Sequence, residues 1–201
     1  MIDWLNQVLF VLGDDQVSVA ELLGFVTGGA CVVLTVLAHV ANFPVGVANS
    51  AFFLVLFVSA QFYADAGLQV IYIVLGFLGW WQWVRGGPQR TALEPGHASP
   101  ALLAGCVAFV VLDTAALTVL LTAVDDAAPF WDALTTAISL AAQFLLNAKK
   151  IENWFFWIAA DIIYVPFYLV KRLDLTALVY VLFLGLCVLG LRQWRRLPVP
   201  A

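Results

Sequence analysis

Seven stretches of about 20 mostly apolar residues alternate with short polar breaks along the chain. They run approximately 18–40, 44–62, 67–85, 99–123, 131–148, 151–170 and 174–194. The breaks carry turn and charge signals: Asn42 and Pro44, Asp65 and Gly67, the run GGPQRTALEPGHASP from Gly86, the run DDAAPFWD from Asp125, Lys149 and Lys150, then Lys171, Arg172 and Asp174. Each stretch is long enough to cross a bilayer as a helix, so the pattern predicts an all-α polytopic membrane protein with seven transmembrane helices. Residues 1–17 have no positive n-region and no small-residue cleavage site, which reads as a short interfacial or partly inserted helix rather than a signal peptide. Residues 86–98 are too short for a domain and form a loop, and residues 195–201 form a tail.

An internal repeat subdivides the seven. The third stretch ends LGWWQW (Leu78 to Trp83) and the seventh ends LGLRQW (Leu189 to Trp194), both L-G-x-x-Q-W at an offset of 111 residues. At that offset Asn49 and Asp161 fall within one residue of equivalence. The fourth stretch, 99–123, separates two triplets, 18–85 and 131–194, that then cross in the same direction. This predicts a 3+1+3 parallel repeat of two three-helix bundles joined by a linker helix, an architecture that places a transported molecule at the repeat interface.

The segment IENWFFWIAADIIYVPFY, residues 151–168, carries the candidate chemistry. Trp154, Trp157, Asp161, Tyr164 and Tyr168 follow one another at spacings of 3, 4, 3 and 4, which puts all five on one helical stripe. An acid at bilayer depth costs roughly 3 kcal/mol or more unless it meets a partner or water, so Asp161 should face a cavity. Further polar and aromatic positions are Gln143 and Asn147 in the fifth stretch, Asn49 in the second, and Gln69, Tyr72, Trp80 and Trp83 in the third. Asn49 and Gln143 read equally as site residues or as hydrogen-bonded ties between helices. Trp83 and Trp194, close to basic residues, read as an aromatic belt, and Tyr168 as a belt, gate or contact residue. Indoles stack on flat rings and favour cationic ones, a carboxylate in low dielectric complements a fixed positive charge, and amides pair with hydroxyls or a carboxamide. The set fits a cationic aromatic ring bearing polar groups; the alternative is indoles that merely pack the bundle.

Composition narrows the classes. Hydrophobic residues make up 64% of 201 positions and charged residues 11%, against about 25% charged in soluble domains. No basic patch supports nucleic-acid binding, and no P-loop supplies direct ATP drive. No catalytic motif, metal-ligand spacing or cofactor signature appears, so an intramembrane enzyme is disfavoured. The three cysteines, Cys31, Cys106 and Cys187, read as small core hydrophobes. His39 is a span-end residue and His97 a loop residue. Glu21 complements the start of its helix. Asp113, beside Thr114 in the fourth stretch, is a packing acid or a proton-coupling group. With the N-terminus outside and the C-terminus cytoplasmic, seven of the nine basic residues (Arg85, Arg90, Lys149, Lys150, Arg192, Arg195, Arg196) fall inside, while Lys171 and Arg172 fall outside.

The runs NFPVGVANS, YADAGLQVIYIVLGFLGWWQW and KKIENWFFWIAADIIYVPFY resemble the PnuC family of vitamin transporters, over about residues 40–85 and 149–195. The family's W-x-x-x-N/D element matches Trp157 to Asp161, preceded here by Glu152, Asn153 and Trp154. The resemblance implies a SWEET-like full-length fold, a homotrimer in the cell inner (plasma) membrane, and equilibrative uptake of nicotinamide riboside trapped by cytoplasmic phosphorylation. It implies no cofactor. Several riboside-carrying relatives have Asn where this chain has Asp161, and the family also has thiamine, riboflavin and deoxynucleoside branches.

Overall fold

A computed structural model of the chain describes residue 4 and residues 7–12, 15–59, 63–125, 127–170 and 174–197. Seven helices fill it: α1 (Val19–Val36), α2 (Asn42–Ser59), α3 (Tyr63–Arg85), α4 (Pro100–Ala123), α5 (Pro129–Asn147), α6 (Asn153–Val170) and α7 (Asp174–Trp194). Proline opens α4 and α5, where its missing N–H costs nothing, and the Ser99 hydroxyl accepts from Leu102 N–H to cap α4. Five helices, α2, α3, α4, α6 and α7, contain windows long and apolar enough to cross a bilayer. In α1 the apolar run is shorter, Leu22–Val36. Helix α5 is the most enclosed, burying Thr135, Ser139 and Asn147 among alanines and leucines, so its polar face meets protein instead of lipid.

The N-terminal segment departs from the helix expected there. Val8–Leu12 (β1) and Asp15–Ser18 (β2) pair antiparallel, with Leu12 opposite Asp15. The run VLFVL is rich in strand-forming side chains. Residues 1–3, 5, 6, 13 and 14, the side chain of Glu21, and Lys171 and Arg172 lie outside the described residues.

Helix contacts close a ring. Helix α1 packs on α2, α2 on α3, α3 on α5, α5 on α6, α6 on α7, and α7 back on α1, while α4 packs on α5 from outside. At one end of the ring the same local geometry occurs twice, 111 residues apart. Helix α1 ends with Ala38 at φ 51° and α5 with Lys149 at φ 52°. At these ends His39 N–H bonds to Leu34 C=O (2.9 Å) and Lys150 N–H to Leu145 C=O (2.8 Å), the six-to-one bond of a Schellman turn. The Asn42 amide donates to His39 C=O (2.8 Å) and the Asn153 amide to Lys150 C=O (2.6 Å). Trp83 Nε1–H then crosses to Leu146 C=O on α5, and Trp194 Nε1–H to Thr35 C=O on α1, both at 3.0 Å. Edge-on contacts repeat in register as well, Phe43 on Trp83 (5.0 Å) and Trp154 on Trp194 (5.6 Å). Each needs a glycine opposite: a Cβ at Gly79 would collide with Phe43, and one at Gly190 with Trp154.

Two loops are clamped together at this end. Glu152 Oε2 accepts from Ala98 N–H and Oε1 meets His97 Nδ1, both at 2.8 Å, while Gly96 bridges Lys150 through the backbone. Burial alone would raise the Glu152 carboxyl, but hydrogen bonds from His97 and Ala98 outweigh it and hold the group below its ordinary 4.5. A depressed carboxyl contributes stability that is complete above the unfolded value and lost as pH falls through the folded one. Thermal melts in detergent should therefore show a loss of stability on acidification below about pH 4.3, and Glu152→Gln should blunt that loss. An equal acid slope in the variant would remove Glu152 as its source.

Candidate functional site

The ring encloses a cavity of about 300 Å³ between the two helix triplets. Asp161 is buried near the middle of α6, about 13 Å from either helix end at 1.5 Å per residue. Its neighbours on the stripe, Trp154, Trp157 and Tyr164, line the same cavity, together with Ser139 and Gln143 of α5 and Tyr180, Phe183 and Cys187 of α7. The opposite wall is made by Gly28 and Cys31 of α1, Gly46, Asn49 and Ser50 of α2, and Tyr72 and Gly76 of α3.

The 111-residue offset makes the two walls comparable position by position. Gly28 corresponds to Ser139, Gly46 to Trp157, Ser50 to Asp161, Tyr72 to Phe183 and Gly76 to Cys187. The second triplet therefore carries the indole, the acid and the thiol where the first carries glycine or serine. A flat polar molecule in this space would be contacted through side chains on one side and given room on the other.

Seven residues singled out from the sequence line the cavity: Trp154, Trp157, Asp161, Tyr164, Asn49, Gln143 and Tyr72. Asn49 is also a tie, donating to Thr27 Oγ1 (2.6 Å) and Gly24 C=O (3.3 Å) on α1. Gln143 donates to Asn147 Oδ1 (2.9 Å), and Asn147 in turn donates to Leu75 C=O on α3 (2.8 Å). Asn147 is thus a buried strut behind Gln143 and lies off the lining. Tyr168 is off it too, its ring stacked on Tyr164 (5.7 Å) and Tyr180 (5.2 Å). Trp80 is 37% exposed on the outer face of α3, because the cavity stripe there runs through Tyr72 and Gly76 and on to Gly79 and Trp83. Gln69 is half-buried on α3 away from the cavity.

Two readings change. Trp83 and Trp194 are not an aromatic belt: they are 3% and 0% exposed, their rings lie 5.7 Å apart, and both indole N–H groups are spent on carbonyls across the ring. Lys149 Nζ rests 4.4 Å over the Trp83 ring and donates to Leu93 C=O (2.7 Å), and burial pulls its ammonium below the ordinary value. Cys31 and Cys187 face the cavity, whereas Cys106 packs against Ala141 and Leu145 between α4 and α5 as a small hydrophobe should. Asp113 lies on α4, outside the ring and off the cavity lining. His39, exposed at the α1–α2 turn, accepts from Ala41 N–H (3.2 Å). Among the described residues no group of three or more His, Cys, Asp or Glu side chains is placed to hold a metal ion.

Tyr180, Phe183, Cys187, Ser139 and the cavity glycines escaped the sequence reading. The available signal was the repeat itself, since adding 111 to Tyr72 and to Gly76 reaches Phe183 and Cys187.

A ring of apolar helices around a buried cavity with a polar, aromatic wall defines a multi-pass membrane transporter. Residues 18–196 match the nicotinamide mononucleotide transporter family, and the chain belongs to that family, the PnuC family of membrane transporters and not of enzymes. It is 26% identical over 208 residues to the nicotinamide riboside transporter PnuC of Escherichia coli (strain K12), covering 90% of this chain and 87% of that one. It is also 26% identical over 200 residues to the riboflavin/roseoflavin transporter RibM of Streptomyces davaonensis, covering 96% of this chain and 92% of that one. The fold is similar to a crystal structure of the vitamin B3 transporter PnuC, with a TM-score of 0.69 at 23% identity over 88% of this chain and 80% of that one.

Proposed function

We propose that the protein is a facilitator for nicotinamide riboside, which crosses through the cavity between the two triplets down its own gradient. The observation that carries this reading is the wall of Trp157 and Asp161 at mid-depth facing glycines. An indole face and a carboxylate together complement a pyridinium ring, and the surrounding amides suit ribose hydroxyls and a carboxamide. A neutral flavin gains less from the acid. Riboflavin remains the second cargo to test, because RibM matches this chain at the same identity as PnuC. Uptake of nicotinamide riboside, thiamine and riboflavin into proteoliposomes separates them.

The in-register geometry at 111 residues supports a 3+1+3 parallel repeat of SWEET-like type, with α4 as linker and all seven helices spanning. The assembly is a homotrimer in the inner membrane, and a separate cytoplasmic kinase traps the cargo. Transport of this kind is equilibrative: counterflow should proceed without an ion gradient or ATP. Accumulation that collapses with a protonophore and is lost in Asp113→Asn would replace it with proton coupling.

The N-terminus lies outside and the C-terminus in the cytoplasm, as the loop charges favour. Single cysteines placed in residues 86–98 and 125–130 of a Cys-free background should react with an impermeant reagent from opposite faces, the former from the cytoplasm. Labelling of both from one face would end the seven-span topology.

A further inference from the structure

Cys187 belongs to no motif, yet it is buried at 5% exposure on the cavity wall and its Sγ lies 3.4 Å from Asp161 Oδ2, across the α6–α7 contact. A carboxylate removed from water needs donors, and its position is set by whichever it finds. The repeat supplies an internal comparison. In the first triplet the counterpart of Asp161 is Ser50 and the counterpart of Cys187 is Gly76. Where serine stands in place of the acid, glycine stands in place of this thiol. Packing accounts for Gly76, where a Cβ would come within 2.7 Å of Val47 Cγ2, but Cys187 stands where its side chain reaches a specific acceptor.

We infer that Cys187 is a positioning residue for Asp161: its S–H occupies Oδ2, fixes the plane of the carboxyl group, and leaves the second oxygen to the cargo. A thiol is a weak donor. It orients the carboxylate without neutralising it, which a lysine or arginine in its place would do. This rests on the reading of Asp161 as a cargo-facing group.

The test is a double-mutant cycle on the full chain in nanodiscs, with nicotinamide riboside, thiamine and riboflavin as probes. Cys187→Ala should weaken binding of the preferred vitamin about fivefold, the equivalent of one hydrogen bond of about 1 kcal/mol. Cys187→Ser keeps a donor of similar size and should bind within about twofold of the native protein. In an Asp161→Asn background Cys187→Ala should add little, because the partner it positions has changed. A ligand-free readout accompanies these: the infrared S–H stretching band assigned by Cys187→Ser should shift when Asp161→Ala removes the acceptor. Loss of binding in Cys187→Ala that persists undiminished in the Asp161→Asn background would mean simple packing and overturn the inference. So would a serine variant no better than alanine, or an S–H band indifferent to residue 161. Native protein that binds none of the three vitamins overturns the carrier reading instead, and is told apart because it appears before any substitution is made.

Discussion

Trp194→Ala should be among the most destabilising single changes in the protein, costing about 3–5 kcal/mol by the measure of large-to-small substitutions in packed cores. The indole is fully buried, touches Trp83 at 5.7 Å and Trp154 edge-on at 5.6 Å, and joins α7 to α1 through its N–H on Thr35 C=O. Truncation opens a void that three helices border and cannot collapse, since Gly190 already brings the Trp154 ring against α7. Trp194→Phe keeps most of the ring and removes the donor. The Thr35 carbonyl still accepts from Ala38 N–H (2.9 Å), so that loss should be about 1 kcal/mol. Because Leu146 C=O likewise keeps Lys149 N–H (2.8 Å), Trp83→Phe should cost the same within a few tenths of a kcal/mol. Denaturant titration in mixed micelles reads all three. An alanine variant no weaker than the phenylalanine one would mean that the aromatic cluster does not hold the triplets together, and unequal phenylalanine variants would break the equivalence of the two ends.

Helix number and order were legible because each apolar run is bounded by turn chemistry, and α7 begins and ends where its run does, at Asp174 and Trp194. The likeness of LGWWQW to LGLRQW was legible because both runs are held by the same local contacts: glycine beneath an aromatic ring, and tryptophan across to a carbonyl on α5 or α1. What periodicity could not give was the direction of each face once several helices share polar residues. Trp80 and Trp83 are three apart on α3, yet one meets the outside and the other the core. Tryptophan beside arginine is the ordinary mark of a membrane interface, and only the partner carbonyls on α1 and α5, far away in sequence, reveal Trp83 and Trp194 as a seam. Cys187 was invisible for a related reason: a cysteine in an apolar run looks like filler until the acid across the helix pair is placed. The β1–β2 pair was missed because its apolar VLFVL run lies in the chain's first residues, where an apolar stretch near a membrane protein's end reads first as an interfacial helix.

Trp157→Ala should weaken cargo binding by about 1–3 kcal/mol, the range for base–aromatic stacking with a cation–π share, while leaving the fold intact. The ring is half-buried on the cavity wall and its repeat counterpart is Gly46, so its removal enlarges an existing space and does not hollow out the core. Asp161→Asn is the companion change, because it preserves size and much of the hydrogen bonding and removes only the charge. A carboxylate buried at mid-membrane depth interacts with a fixed cation through a low dielectric, where charge is worth far more than in water. If charge is what Asp161 reads, the asparagine variant should lose affinity for nicotinamide riboside and thiamine while its affinity for a neutral isostere, or for riboflavin, holds or rises. If Asp161 serves ribose hydroxyls instead, charged and neutral ligands should weaken together, since the hydroxyl contacts are common to both. Tryptophan fluorescence quenching and isothermal titration on the same nanodisc samples give the two sets of constants. Binding unchanged in both variants, in protein that melts like the native form, would take the α6 stripe out of the site and leave Trp157 and Asp161 as packing between α6 and α7.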